Sequence, residues 1–319
     1  MPQDADVLVE PPPGGAISHC KASAIRLPEG ASGEEAFSTL FGACLEHLQA
    51  NGAAARAGQI EGVHQMRVAL RRLRSCLKLF RPLIPKEASA AWVAELRWLN
   101  SLLGPVRDWD VFIVEGLMPI AARFPKKRGL RALQDKARAL RQGHYQTLYY
   151  GLDESRYHQL ILSLGGWLEG RGWRESLAEA QREALARPVV EFATAVLQRH
   201  HRRVVNRGRQ FAQLSGEQRH ALRIRIKRLR YAVEFFASLY HGTAAYGRAA
   251  AGLQDALGVL NDAVVMERLL EEAGLNRTTP TRHLITGWYA GKLDSYERYF
   301  AAQAWERFRA CKRPWKKPV

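Results

Sequence analysis

The segment HQMRVALRRLRSCLKLF, His64 to Phe80, returns as HALRIRIKRLRYAVEFF at His220 to Phe236. Six of the seventeen paired positions are identical, and Arg71 against Lys227 keeps its charge, so the match reads as an internal repeat. On a helix of 3.6 residues per turn, His64, Arg67, Arg71, Arg74 and Lys78 fall within an arc of roughly 80°, a cationic stripe about 21 Å long. Met66, Leu70, Leu73, Leu77 and Phe80 form an apolar stripe beside it, repeated as Leu222, Ile226, Leu229, Val233 and Phe236. Each helix is therefore held by one face and offers another. Most charge runs are solvated faces, but this one has almost no acid at i,i+4 except Glu234, and like charges three and four apart repel. A multivalent anion would relieve that repulsion.

Outside the repeat, the chain of 319 residues is long enough for one large domain or two. Its 47% hydrophobic and 25% charged residues are ordinary for a globular protein, whereas a net charge of +17 is not. Such a field attracts polyanions: nucleic acid, acidic lipid surfaces or linear phosphate. The four cysteines, Cys20, Cys44, Cys76 and Cys311, show no metal-ligand spacing and read as isolated thiols of a reducing compartment. No stretch approaches a membrane span, and MPQDADVLVEPPPGG has no basic n-region, so a soluble intracellular protein is expected.

Residues 1–31, with prolines at 11–13 and 28, read as a poorly ordered leader carrying at most an extended piece that packs locally. Ser32 with Glu35 is a capping-box signal that starts the first helix. Helices are then expected at about 59–80, 87–103, 107–118, 126–150, 153–169, 175–186, 189–213, from Ser215 through the second basic helix, 244–259, 261–273 and 281–310. Gly104 and Pro105 are expected to end one of these, and Pro119 and Pro125 to close the next. Leu103, Gly104, Arg107 and Asp108 are matched by Leu257, Gly258, Asn261 and Asp262, so the repeat extends past the basic helices. No segment alternates like a strand. The expectation is an all-α protein of two antiparallel helical bundles, about four helices each, related by an internal pseudo-twofold: residues 32–187 and 188–312, with a basic tail at 313–319.

The pair HxxRVxxRRLR and HxLRxxxKRLRY, each followed by an LGxxxD element (LGPVRDWD and LGVLND), resembles the CHAD domain, the conserved histidine alpha-helical domain. The resemblance covers roughly residues 34–312. It implies two helical bundles with internal pseudo-twofold symmetry and a basic channel between them that binds inorganic polyphosphate. It also implies a cytoplasmic protein, associated in some relatives with polyphosphate granules. Carried over by position, His64, Arg67, Arg71, Arg74 and Lys78 match the first motif, and His220, Arg223, Lys227 and Arg230 the second. Glu234 stands where the first repeat has Lys78, and Asn261 replaces Arg107, which questions a phosphate role for Arg107. Many relatives carry a CYTH triphosphatase domain ahead of CHAD; its ExExK signature is absent, so no triphosphatase activity is expected. Physical chemistry leads to a similar ligand: a linear polyanion without base edges needs only a rail of donors, planar and bidentate from Arg, point-like from Lys.

Arg203 and Arg207 share a face of the segment before the second basic helix and are candidates to line the channel. His200 and His201 are poorly placed for metal, and the Asp108/Asp110 pair reads as helix-start acids or arginine partners, so no metal, no cofactor and no catalytic residue is expected. Arg131, Arg138 and Arg141 read as solvated charge, and Trp92, Trp98, Trp109, Trp167 and Trp288 as core. Two rivals remain open. A nucleic-acid binder fits the charge but lacks aromatic residues interleaved with the stripe. A metal-dependent phosphoanhydride enzyme would need carboxylates beside the rails.

Overall fold

A computed structural model describes residues 18–316, apart from the side chains of residues 259–261, 296–298 and 316. Residues 1–17 of the leader, the end of the basic tail and the side chain of Asn261 thus lie outside the described residues. The helices are α1 (Gly33–Ala50), α2 (Gly52–Arg56), α3 (Ile60–Leu79), α4 (Ala90–Val111), α5 (Met118–Arg123), α6 (Arg128–Asp153), α7 (Ser155–Glu169) and α8 (Glu179–Ala186) in the first half. The second half holds α9 (Val189–Arg207), α10 (Gly216–Phe235), α11 (Thr243–Ala256), α12 (Gly258–Glu272), α13 (Pro280–Tyr296) and α14 (Ala302–Ala310). Among the described residues the only β-type pairing is one isolated bridge, Ser32 with Pro188. The fold is all-α.

Helix starts follow the expected chemistry. The Ser32 hydroxyl accepts from the Glu35 N–H while the Glu35 carboxylate accepts from Ser32, and Ser215 with Gln218 repeats the device at the start of α10. The N-termini of α1 and α9 are joined as well: Gly33 N–H donates to the Arg187 carbonyl and Val189 N–H to that of Ala31, both at 2.9 Å.

In the first half α1, α3, α4, α6 and α7 pack around one another; in the second, α9, α10, α11 and α14 do so, with α12 and α13 alongside. The halves meet where α1 touches α9 and α3 touches α10. Phe80 and Phe236, the residues that end the two basic helices, are fully buried there with ring centres 6.2 Å apart, and Phe192 packs on both. The main core runs without a break from Leu40 and Leu73 to Leu229 and Leu253. A smaller one joins Trp109, Phe112 and Leu133 of the first half to Leu269, Leu270 and Ile285 of the second. Neither core belongs to one half.

Four expectations change. The chain does not break at Gly104-Pro105: α4 continues to Val111, because burying Leu103, Val106 and Trp109 on one face offsets the hydrogen bond that Pro105 cannot donate. A π-helical stretch, residues 112–117, then leads directly into α5, where Pro119 occupies the first turn, so Pro119 opens a helix instead of closing one. Residues 18–31 of the leader pack across both halves. Ile25 and Leu27 are buried, Cys20 N–H donates to Asn51 Oδ1 at 3.0 Å, and Leu27 N–H donates to Ser238 Oγ at 3.1 Å. Trp288 also departs from the core reading, being 36% exposed.

Candidate anion-binding groove

The apolar stripes do what their spacing requires: Met66, Leu70, Leu73 and Leu77 of α3, and Leu222, Ile226, Leu229 and Val233 of α10, are buried. Their cationic faces are thereby turned toward each other. Lys227 of α10 records the result. Burial, and then the guanidinium groups of Arg71, Arg223, Arg67 and Arg230 around it, push its pKa down to about 8. Arg67 and Arg71 come from the first repeat and the others from the second. Arg223 is likewise held below the usual arginine range by burial, with Arg71 opposing its charge from across the junction.

Five cations in one place need counter-charge, and the protein supplies little. The Nε atoms of Arg71, Arg223 and Arg230 are buried and meet no hydrogen-bond acceptor among the described residues. A buried donor without a partner costs roughly 1–3 kcal/mol, and more when charged, so three of them on converging side chains make this cluster the candidate site for an anion.

Beside this cluster opens a cavity of ≈ 230 Å³, lined by His64, Arg67, Arg71 and Arg107 from the first half and by Asp262, Met266 and Tyr289 from the second. His64 is half-buried, and burial together with the positive charges of Arg107, Arg71 and Arg67 holds its pKa below the usual histidine range despite Glu61. This environment favours the neutral imidazole, and a nearby anion would favour its protonated form.

The LGxxxD element acquires a physical meaning here. A Cβ added at Gly104 would stand 3.1 Å from an Nη of Arg67, so the glycine leaves room for the guanidinium to lie against α4. Asp108, one turn on, meets the same guanidinium at 3.7 Å and Arg268 at 2.7 Å. In the second half the nearest atom to a Cβ at Gly258 would be Arg223 Nε at 4.0 Å, and the Asp262 charge acts on Arg223. Burial raises the pKa of both aspartates, against the pull of those arginines. The first repeat thus orients Arg67 with a glycine gap and an aspartate, whereas in the second Asp262 acts on Arg223 through charge alone and a Cβ at Gly258 would make only an ordinary contact.

Not every candidate joins the cluster. Arg74 and Lys78 continue the α3 stripe to an exposed end, where burial and the positive charges of Arg228, Arg81 and Arg74 depress the Lys78 pKa. Arg203 lies beside that end, sharing His200 as a neighbour with Lys78 and Arg228. His220 and Arg207 are exposed and make no ion pair or hydrogen bond among the described residues. Arg131 and Arg138 are exposed, in keeping with solvated charge, but Arg141 is partly buried and paired: its Nε donates to the buried Asp110 carboxylate at 2.6 Å, while Tyr145 donates to the other oxygen at 3.0 Å. Asp108 and Asp110 therefore serve different arginines. Among the described residues no three His, Cys, Asp or Glu gather as a metal site.

Sequence reasoning overlooked two residues. Arg107, doubted because Asn261 replaces it, lines the cavity. Arg72, indistinguishable from its neighbours in the RRLR run, is only 2% exposed and pairs with Glu234 across the junction at 2.8 Å. The signal for that pair was Glu234 itself, the one acid in the stripe.

These features define an all-helical, two-half module that gathers cations from both copies of a repeated helix beside a cavity lined by both halves. The chain belongs to the CHAD domain family, whose profile it matches over residues 39–271. It resembles the crystal structure of the CHAD domain from the plant Ricinus communis, with 29% identity and a TM-score of 0.77 over 95% of this chain and 99% of that one. It also shares its fold with PptA from Streptomyces chartreusis, at 16% identity and a TM-score of 0.60 over 88% of this chain and 98% of PptA. Two curated relatives, the uncharacterized proteins MT2285 and Rv2226 of two Mycobacterium tuberculosis strains, are 28% identical over 233 residues. That match spans 69% of this chain but 42% of those longer proteins.

Proposed function

We propose that the protein binds inorganic polyphosphate, without chemical turnover, in the groove where α3 and α10 face each other. One observation carries this reading: Arg67, Arg71, Arg223, Lys227 and Arg230 converge from both repeats, with three buried guanidinium nitrogens lacking an acceptor among the described residues. The CHAD family is linked to polyphosphate binding in general. A linear phosphate chain suits the cluster because it supplies closely spaced oxygens for bidentate arginines and presents no bases to be stacked or read.

The test is a charge reversal at the centre, Arg71→Glu with Lys227→Glu. Binding of long-chain polyphosphate should fall by about 100-fold or more while helicity is retained, since two cations beside the ligand change sign, a net change of about four unit charges. Undiminished affinity in a folded double variant overturns the site. A competition titration at physiological salt addresses the nucleic-acid reading: polyphosphate should displace single-stranded DNA far better than the reverse. Phosphate release from polyphosphate with added Mg²⁺ or Mn²⁺ would replace the binding reading with an enzymatic one.

A further inference from the structure

The contact between α3 and α10 has two ends, and they are chemically opposite. At one, Arg72 is buried against Glu234 at 2.8 Å. Around them lie Cys44 and His47 of α1; Arg72 lowers the pKa of both, although burial carries the Cys44 thiol up to about 12. The leader closes this end: the Ser23 carbonyl lies 3.5 Å from Arg72 Nη2, and the Cys20 carbonyl accepts from Asn51 Nδ2. Charge is matched, and Arg72 is covered while Glu234 stays partly exposed.

In the repeat, Arg72 corresponds to Arg228 and Glu234 to Lys78; at the same spacing, Cys44 corresponds to His200 and His47 to Arg203. These four also come together, but with one sign of charge. Lys78 faces Arg228, and His200 lies among Arg199, Arg203, Arg228 and Lys78, which together with burial push its pKa down to about 4. Lys78, Arg203 and Arg228 are exposed, and none of them makes an ion pair or side-chain hydrogen bond among the described residues. The end that corresponds to a charge-matched Arg–Glu pair is thus an open group of cations without a carboxylate partner among the described residues.

It is also continuous with the groove. Arg71, Arg74 and Lys78 are spaced i, i+3 and i+7 on one face of α3, so Arg74 bridges the central cluster and the open end over about 10 Å of helix. Along α10 the corresponding path runs from Lys227 through Arg230 and ends at Glu234, which is already engaged.

We propose that Lys78, Arg203 and Arg228, reached through Arg74, form a second phosphate subsite that receives the continuation of a polyphosphate chain leaving the groove, making that exit one-sided. The proposal rests on the polyphosphate reading of the groove and adds a direction and a chain-length dependence to it. Short oligophosphates fill the centre alone; long chains engage both places.

Lys78→Glu is the informative substitution, because it rebuilds at the open end the Arg–Glu pairing already present at the other and so preserves the fold. Wild type, Lys78→Glu, Lys78→Glu with Arg203→Gln, and the groove variant Arg71→Glu with Lys227→Glu are each titrated with tripolyphosphate and with long-chain polyphosphate. Lys78→Glu should weaken the long chain by about tenfold and tripolyphosphate by less than about twofold, with a further loss for the long chain alone in the double variant. The groove variant should lose both ligands. Unchanged long-chain affinity in Lys78→Glu, or an equal loss for both ligands, overturns the second subsite. Retention of both ligands by the groove variant would instead overturn the central site, and an isolated long-chain effect of Lys78→Glu would still place a phosphate contact at the open end.

Discussion

Lys227 is an ammonium held among four guanidinium groups, and that placement makes the groove sensitive to pH. Its folded pKa, about 8, lies below the value near 10.4 of an unfolded lysine, so between those two the unfolded chain holds a proton that the folded chain has lost. Stability contributed by this residue therefore rises as pH increases from about 8 to about 10, and is at its lowest below pH 8, where the charged form sits in the cluster. Denaturant titrations of the wild type and Lys227→Met should diverge in this window, the variant being flatter. A bound polyanion reverses the preference, since it stabilises the ammonium. Polyphosphate affinity should fall as pH rises through 8, and binding near pH 8.5 should take up protons, seen as a calorimetric enthalpy that depends on the buffer's ionisation heat. Lys227→Arg should bind without that uptake. At the opposite end of the contact, Glu234→Gln leaves the buried Arg72 without its counter-charge and should cost about 3 kcal/mol of unfolding free energy, the low end for a broken buried pair because Glu234 is partly exposed.

At the level of helices, two glycines separate packing from function. A Cβ at Gly62, in the first turn of α3, would stand 2.7 Å from backbone atoms of Ala54 and Ala55, which cannot yield without moving α2. Gly62→Ala should therefore cost about 1–3 kcal/mol, the usual range for overpacking, measured by chemical denaturation. At Gly104 the obstacle is the mobile end of Arg67, so Gly104→Ala gains helix propensity, changes stability by less than about 1 kcal/mol, and shifts the guanidinium away from Asp108. Its readout is polyphosphate affinity, expected to drop several-fold. The helices themselves were readable beforehand because apolar periodicity and caps are local: Ser32 with Glu35 starts α1, and the apolar stripes of α3 and α10 are buried as their spacing requires. Gly104-Pro105 misled because local propensity was overridden by burial of Leu103 and Trp109. Charge misled more deeply. Arg71, Arg72 and Arg74 look alike in a string, and only a partner 162 positions away decides that Arg72 goes inside; the same holds for Arg141, whose partner Asp110 is itself buried.

For the molecule as a whole, the two halves share their cores, so the cation cluster is held by apolar packing on both sides of the junction and not by its own chemistry. Packing of this kind can hold like charges at a distance they would not choose, and on the proposed polyphosphate reading a bound polyanion would release that repulsion. Two electrostatic contributions then act on binding. The net charge of +17 sets a long-range attraction that salt screens over about 8 Å at physiological ionic strength. The local one is counterion release from the ligand, which depends on how many phosphates the protein neutralises. If five central cations are engaged, a plot of log affinity against log salt should have a slope of about −3 to −4, by analogy with single-stranded nucleic acid. Surface attraction alone would give a shallower dependence that changes little when a single buried cation is removed. Measuring the slope for long-chain polyphosphate in wild type and in Arg71→Gln separates the two. A slope that falls by about 0.7 in the variant assigns that guanidinium a phosphate of its own, and an unchanged slope assigns the binding to the general field of the protein.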